Sequence, residues 1–267
     1  MEFNRQEKQK FATVAVSKSA KKFYGIVLLV FAIAVLAAIL GAIGFGAMFD
    51  VKVDATTISR EGVPVETQIP LFNKHIYLFS GIFAVSTLIL MFANIYLSRR
   101  ENNRKLQLFT LPFYLAYFAF SIAFIFRLAI WQFGATSSLD NTKLLLSLAL
   151  IPAVVLIITA ILGIFNLVNI RAIGILVSAL TIGMIIALIV SIFVFEAAWW
   201  LPWLGVIAIS LTTIIEWWMI RKIADQSANM DSETATTLAI SCGIQMFISY
   251  SIMLIYVIQI FGGSYRD

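Results

Sequence analysis

Seven mostly apolar stretches follow one another along this chain of 267 residues, each of about twenty residues or more. A run of that length is what a helix needs to cross a hydrocarbon layer about 30 Å thick. The spans are expected near residues 23–49, 75–97, 108–133, 143–166, 172–195, 199–220 and 237–261. With 61% hydrophobic and 12% charged residues, the chain lies far from the usual soluble balance. The expected fold is an all-α membrane protein, a bundle of seven transmembrane helices with the last helix central. Residues 23–263 form its one domain, because the short connectors leave no room for a second core.

The residue inventory narrows the chemistry. Cys242 and His75 are the only Cys and His, so no intrachain disulfide and no zinc or haem motif can be built. No nucleophile–base pair and no metal cluster falls within a span, so an enzyme is not expected, and neither is a cofactor. The net charge of +5 reads as bases facing anionic headgroups of the lipid bilayer, with no nucleic-acid partner implied.

Residues 1–22 are a basic tail carrying Arg5, Lys8, Lys10, Lys18, Lys21 and Lys22. The apolar run that follows is too long for a cleaved signal core, so it reads as a retained first span. Its GAIGFG end, Gly41 to Gly46, reads as close helix packing through small residues, since no strand precedes it to make a nucleotide loop. The loop 50–74 contains alternating pieces (VKV, VPVETQI) compatible with a small hairpin. Arg127, near the far end of span three, is expected to snorkel to the membrane edge rather than plug a cavity. Pro152 is expected to break span four, and a turn is expected around Asn169 and Arg171. Bases concentrate in the tail, in the SRRENNRK link after span two, at Arg171 and at Arg221 and Lys222. The positive-inside rule then places the N-terminus in the cytoplasm, the loop 50–74 outside and the C-terminus outside. A bacterial plasma membrane is expected, with the endoplasmic reticulum as the alternative.

Glu216 stands about one and a half turns before Arg221 and Lys222, inside the edge those bases mark. A carboxylate there is costly unless it faces a partner or a watery cavity, which makes it a functional candidate. The plain alternative is a Glu near a helix end that reaches headgroups. In the last span, Ser241, Gln245, Ser249, Tyr256 and Gln259 recur close to one helical face. Such a stripe either lines a cavity or glues helices together by hydrogen bonds.

Several of these segments together resemble the Bax inhibitor family of membrane proteins, over most of the chain. The segments are the basic SRRENNRK link, the aromatic FTLPFYLAYFAF of span three, ILGIFN closing span four and a last helix ending in IFGG. The run from Glu216 to Arg221 fits the family's acid followed by an apolar–basic step. The resemblance implies a seven-helix fold, a pH-sensitive calcium leak, and, as in the bacterial branch, a latch of two aspartates and an arginine near the cytoplasmic side. Carried over, the first acid is Glu216 and the arginine is Arg99. The second acid falls at Ser249, a departure that removes the paired carboxylates behind a shared-proton switch. Gln245, one turn nearer the cytoplasm, is a second expected partner of Glu216. Ser241, Tyr256 and Gln259 would line the path. A lone carboxylate also falls short of the oxygen cluster that calcium sites usually gather.

Two functions are therefore expected. One is a passive cation path, with calcium as its ion and Glu216 paired to Arg99 as its latch. The other is a non-conducting membrane regulator or scaffold that acts through protein partners at the 50–74 loop and the basic tail.

Overall fold

A computed structural model describes residues 18–58, 64–98, 104–133, 138–193 and 200–263. The helices form where the apolar stretches lie and run beyond them into polar sequence. They are α1 (Lys18–Phe49), the one-turn α2 (Leu71–Lys74), α3 (Ile76–Ser98), α4 (Arg104–Phe133) and α5 (Ser138–Ile164). Then come α6 (Ile170–Phe193), α7 (Trp200–Gln226) and α8 (Ser232–Gly263). Strands β1 (Lys52–Ile58) and β2 (Pro64–Pro70) pair antiparallel, from Lys52 against Pro70 to Ile58 against Pro64. The alternating pieces of the loop do make a hairpin.

Among the described residues, six helices (α1, α4, α5, α6, α7 and α8) are long and apolar enough to cross a membrane. The protein is thus an all-α membrane protein in its broad class, but the count by this measure is six where seven spans are expected. The exception is α3. Its described apolar run is Ile76–Leu90, about 22 Å of rise, and its helix then continues to Ser98.

The helix ends follow local chemistry. Asn166 adopts a left-handed φ of 53°, the Leu167 N–H reaches back to Leu162 O at 3.1 Å, and the Asn166 N–H to Gly163 O at 3.2 Å. This closes α5 as a Schellman turn with Asn in the place glycine usually takes. Asn169 then opens α6, its Oδ1 accepting from the Arg171 N–H at 3.1 Å. The polar stretch 221–236, between the last two expected spans, is mostly helical. α7 carries Arg221 and Lys222 to Gln226, a 3₁₀ turn covers Ser227–Asn229, and Asp231 caps α8 by accepting from the Thr234 N–H at 2.8 Å.

Pro152 does not break α5. It lies wholly buried inside one continuous helix. A proline removes one N–H from the ladder and loosens the preceding turn, which is tolerated when neighbouring side chains serve the freed backbone. In that turn the Tyr250 hydroxyl, arriving from α8, donates to Ala149 O at 2.9 Å.

Glycines set how closely the helices approach. A Cβ added at Gly163 of α5 would stand 2.5 Å from Ile214 O and 2.7 Å from Trp217 Cβ, both on α7. One at Gly243 of α8 would stand 2.8 Å from Val30 Cβ of α1, and one at Gly41 of α1 would stand 2.7 Å from Ala119 Cβ of α4. Within GAIGFG only Gly41 has this role, since nothing lies within 4 Å of a Cβ at Gly44 or Gly46. Against α8 pack α1, α4, α5 and α7, while α6 lies against α7.

The end of the bundle under the hairpin is closed by aromatic rings. Phe49, Phe72, Phe79 and Phe124 meet with centroids 4.9–6.1 Å apart. Beside them Arg127 of α4 pairs with Asp50, just past the end of α1. Arg127 is therefore held by a carboxylate and does not snorkel freely to the interface.

Candidate site at the α7–α8 seam

Glu216 sits on the face of α7 that packs against α8, only 5% exposed. Two donors from α8 meet its carboxylate. The Ser249 hydroxyl lies 2.9 Å from Oε1 and 3.0 Å from Oε2, and the Gln245 amide donates to Oε1 at 3.1 Å. Ser249 and Gln245 are four residues apart, so one turn of α8 presents both donors to one acceptor. Ser249 is buried, whereas Gln245 is exposed. The amide thus covers the carboxylate from its open side while the serine holds it from within.

The rest of the seam is tightly closed. Farther along, the Tyr256 ring of α8 fills the space over Gly205 of α7, where even an added methyl would collide. Thr213, one turn before Glu216, is fully buried and returns its hydroxyl to Ile209 O at 2.7 Å. Beyond the carboxylate, Arg221 donates to Ile164 O, the last residue of α5, at 2.6 Å. A cation on the orphan carbonyls of a helix C-terminus is favourable through both hydrogen bonding and the helix dipole. Lys222 lies 3.8 Å over the Trp218 ring. The two bases next to the site thus have partners other than Glu216, and among the described residues no ion pair reaches Glu216.

Of the site residues expected from sequence, the fold brings Glu216, Gln245 and Ser249 together. Arg99 lies outside the described residues. Ser241 is half-buried one turn before Gln245, Tyr256 packs on Gly205, and Gln259 is exposed. Among the described residues, none of these three hydrogen-bonds to Glu216. Sequence reasoning missed Tyr250 and the Asp50–Arg127 pair. Tyr250 is signalled by a hydroxyl inside an apolar helix, and the Asp50–Arg127 pair by opposite charges at the same ends of two spans.

Among the described residues there is no group of three or more His, Cys, Asp or Glu side chains that could hold a metal ion. What the arrangement can do is bind and release a proton or a cation at one carboxylate that neutral donors hold in place. Its charge state then alters the hydrogen bonds joining α7 to α8. Comparison with family models, with curated proteins and with solved structures returns no match.

Proposed function

We propose that the chain is a Bax-inhibitor-like integral membrane protein, a passive cation path, for calcium in the first instance, whose opening is set at the Glu216 seam. Its seven helices, with α3 as the second crossing, are arranged around α8 in a plasma membrane of bacterial type. The N-terminus lies inside and the C-terminus outside. One observation carries the reading: among the described residues, a buried carboxylate on α7 is held by two neutral donors from α8, at the positions where the resemblance implies a latch. Ionised Glu216 accepts from Ser249 and Gln245 together and draws the two helices together. Protonated, it becomes a donor itself and gives up part of that acceptor capacity. A two-state seam biased by one proton is the minimum for pH gating. Arg99, which follows the last residue of α3 in the sequence, is the countercharge in this proposal.

The test is flux of Ca²⁺ into liposomes holding the purified protein, across pH 5 to 8, beside Glu216→Gln. A leak whose pH dependence flattens in the variant is the expected result. A leak with the same pH profile in both proteins would sink the mechanism.

Ser249 in place of a second carboxylate favours a second reading, in which the fold regulates or scaffolds partners without conducting. No flux at any pH in well-folded protein, with co-purifying proteins lost on deletion of residues 2–20, is what that reading expects.

A further inference from the structure

The cation that caps α5 also closes one end of a groove, and what the two make together stands independently of the Glu216 reading. Between α1 and α5 opens an apolar groove of about 380 Å³. Leu28 and Phe31 of α1 and Ile157 and Ile161 of α5 form its sides, with Trp217 of α7 and Met246 of α8 beneath them. Leu28, Ile157 and Ile161 are exposed, whereas Trp217 and Met246 are buried, so the groove is open outward and closed at its floor. Along α5 it runs from Ala153 to Ile164, about 16 Å of rise, close to half the hydrocarbon thickness of a bilayer. That is the depth of one leaflet.

The chemistry changes where the groove stops. Ile164 is the last residue of α5, and its carbonyl accepts from Arg221 of α7. Tyr24 of α1, one turn before Leu28, lies close enough to Arg221 to feel its charge. Arg221 is thus bracketed by the two helices that flank the groove. Its side chain is 35% exposed, and the bond to Ile164 uses one of its five N–H donors. Asp225 stands 3.8 Å from its Nε, but with Lys222 alongside, this end of α7 carries two bases against one acid. The balance suits an anion.

We infer that the α1–α5 groove binds one anionic phospholipid of the leaflet it faces, an acyl chain lying between the two helices and the phosphate on the remaining N–H groups of Arg221. Apolar shape holds the chain, and charge selects the headgroup, one base near the surface contributing about fivefold in affinity.

The experiment uses the full chain reconstituted with a phosphatidylglycerol bearing a diazirine on its acyl chain, with crosslinks mapped by mass spectrometry. Crosslinks should concentrate on residues 28–31 and 153–164 and exceed those on α6, a mostly exposed helix that reports bulk lipid. Unlabelled phosphatidylglycerol should displace the probe better than phosphatidylcholine does. Arg221→Gln should lose about fivefold of that preference, and Arg221→Lys, which keeps the charge, should retain it. Ala160→Phe, which fills the groove, should abolish the concentrated labelling. The competition between the two lipids is read on the unaltered protein, so it decides the matter even where a variant does not fold. Even labelling of the groove and α6 would overturn the site. Equal competition by the two lipids, or a stable dimer that covers the groove and excludes the probe, would overturn the choice of occupant.

Discussion

Helices α6 and α8, of 24 and 32 residues, lie in the same bundle, yet they are built the opposite way round. α6 is the more apolar, with a mean hydropathy of 2.8 against 1.9 in the best window, but only 6% of that window is buried, against 61% in α8. In water this would be inverted. In a bilayer no hydrophobic force gathers apolar faces, so the helix with hydrogen bonds to make goes inside and the purely apolar one meets lipid. Ser249, Gln245 and Tyr250 on α8 all find partners on α7 or α5. On α6 the Ser178 and Thr181 hydroxyls return to their own helix, to Gly174 O and Val177 O, and ask for no neighbour. The comparison teaches that polarity, not hydrophobicity, sorts these helices.

The strongest way to break that contrast is to put a carboxylate on the wrong helix. Ile185, 54% exposed on α6, replaced by Glu should cost about 2.5–3.5 kcal/mol of insertion at the membrane centre. It should lower the inserted fraction of α6 in a glycosylation-mapping assay, although Glu216 on α7 is tolerated. Next comes packing. Gly163→Leu drives a side chain into the α7 backbone and should destabilise by about 1–3 kcal/mol or more. Gly183→Leu on α6, with open space around it, should leave the melting temperature in detergent unchanged. If both variants melt alike, the close α5–α7 approach is not what the glycine is for.

A smaller effect is expected at the seam. Ser249→Ala removes the donor shared by both carboxylate oxygens, and interhelical hydrogen bonds in membranes are worth about 0.6–2 kcal/mol. Ser178→Ala on α6 should cost nothing measurable in the same unfolding assay. The smallest concerns Asp231 at the membrane edge. The Thr234 N–H and hydroxyl hold its carboxyl below the usual carboxylate range. A lowered folded-state pKa means that the stabilisation is complete above the unfolded value and fades as pH falls through the folded one. Acid should therefore lower the hydrogen-exchange protection factors, measured against the intrinsic rate at each pH, in the first turn of α8, and Asp231→Asn, which still caps but does not titrate, should not show that pH dependence.

The legible parts were those governed by local rules. Spans appear because twenty apolar residues cannot be anything else at this density. The turn at Asn169 appears because an Asn side chain can serve two N–H groups at once. Glu216 stood out because charge inside a span needs a reason, and Gln245 and Ser249 were within reach because i and i+4 share a face. Pro152 misled, since its effect depends on whether a neighbour serves the loosened turn, and Tyr250 lies about a hundred residues away. Arg127 misled for the same reason, because Asp50 stands at the end of a different span, just past α1.

The sequence by itself determined that the chain lives in a membrane, roughly where each helix runs, and which face of α8 carries hydrogen-bonding groups. These follow from hydropathy and helical period, which act over one or two turns. Only the tertiary structure decided that Gln245 and Ser249 meet one carboxylate while Tyr256 packs on glycine, that Arg221 caps α5 and leaves Glu216 alone, and that α1 and α5 leave a groove between them. Each depends on which glycine lets which helix approach, to within a methyl group, and no periodicity in a single strand of sequence encodes that distance.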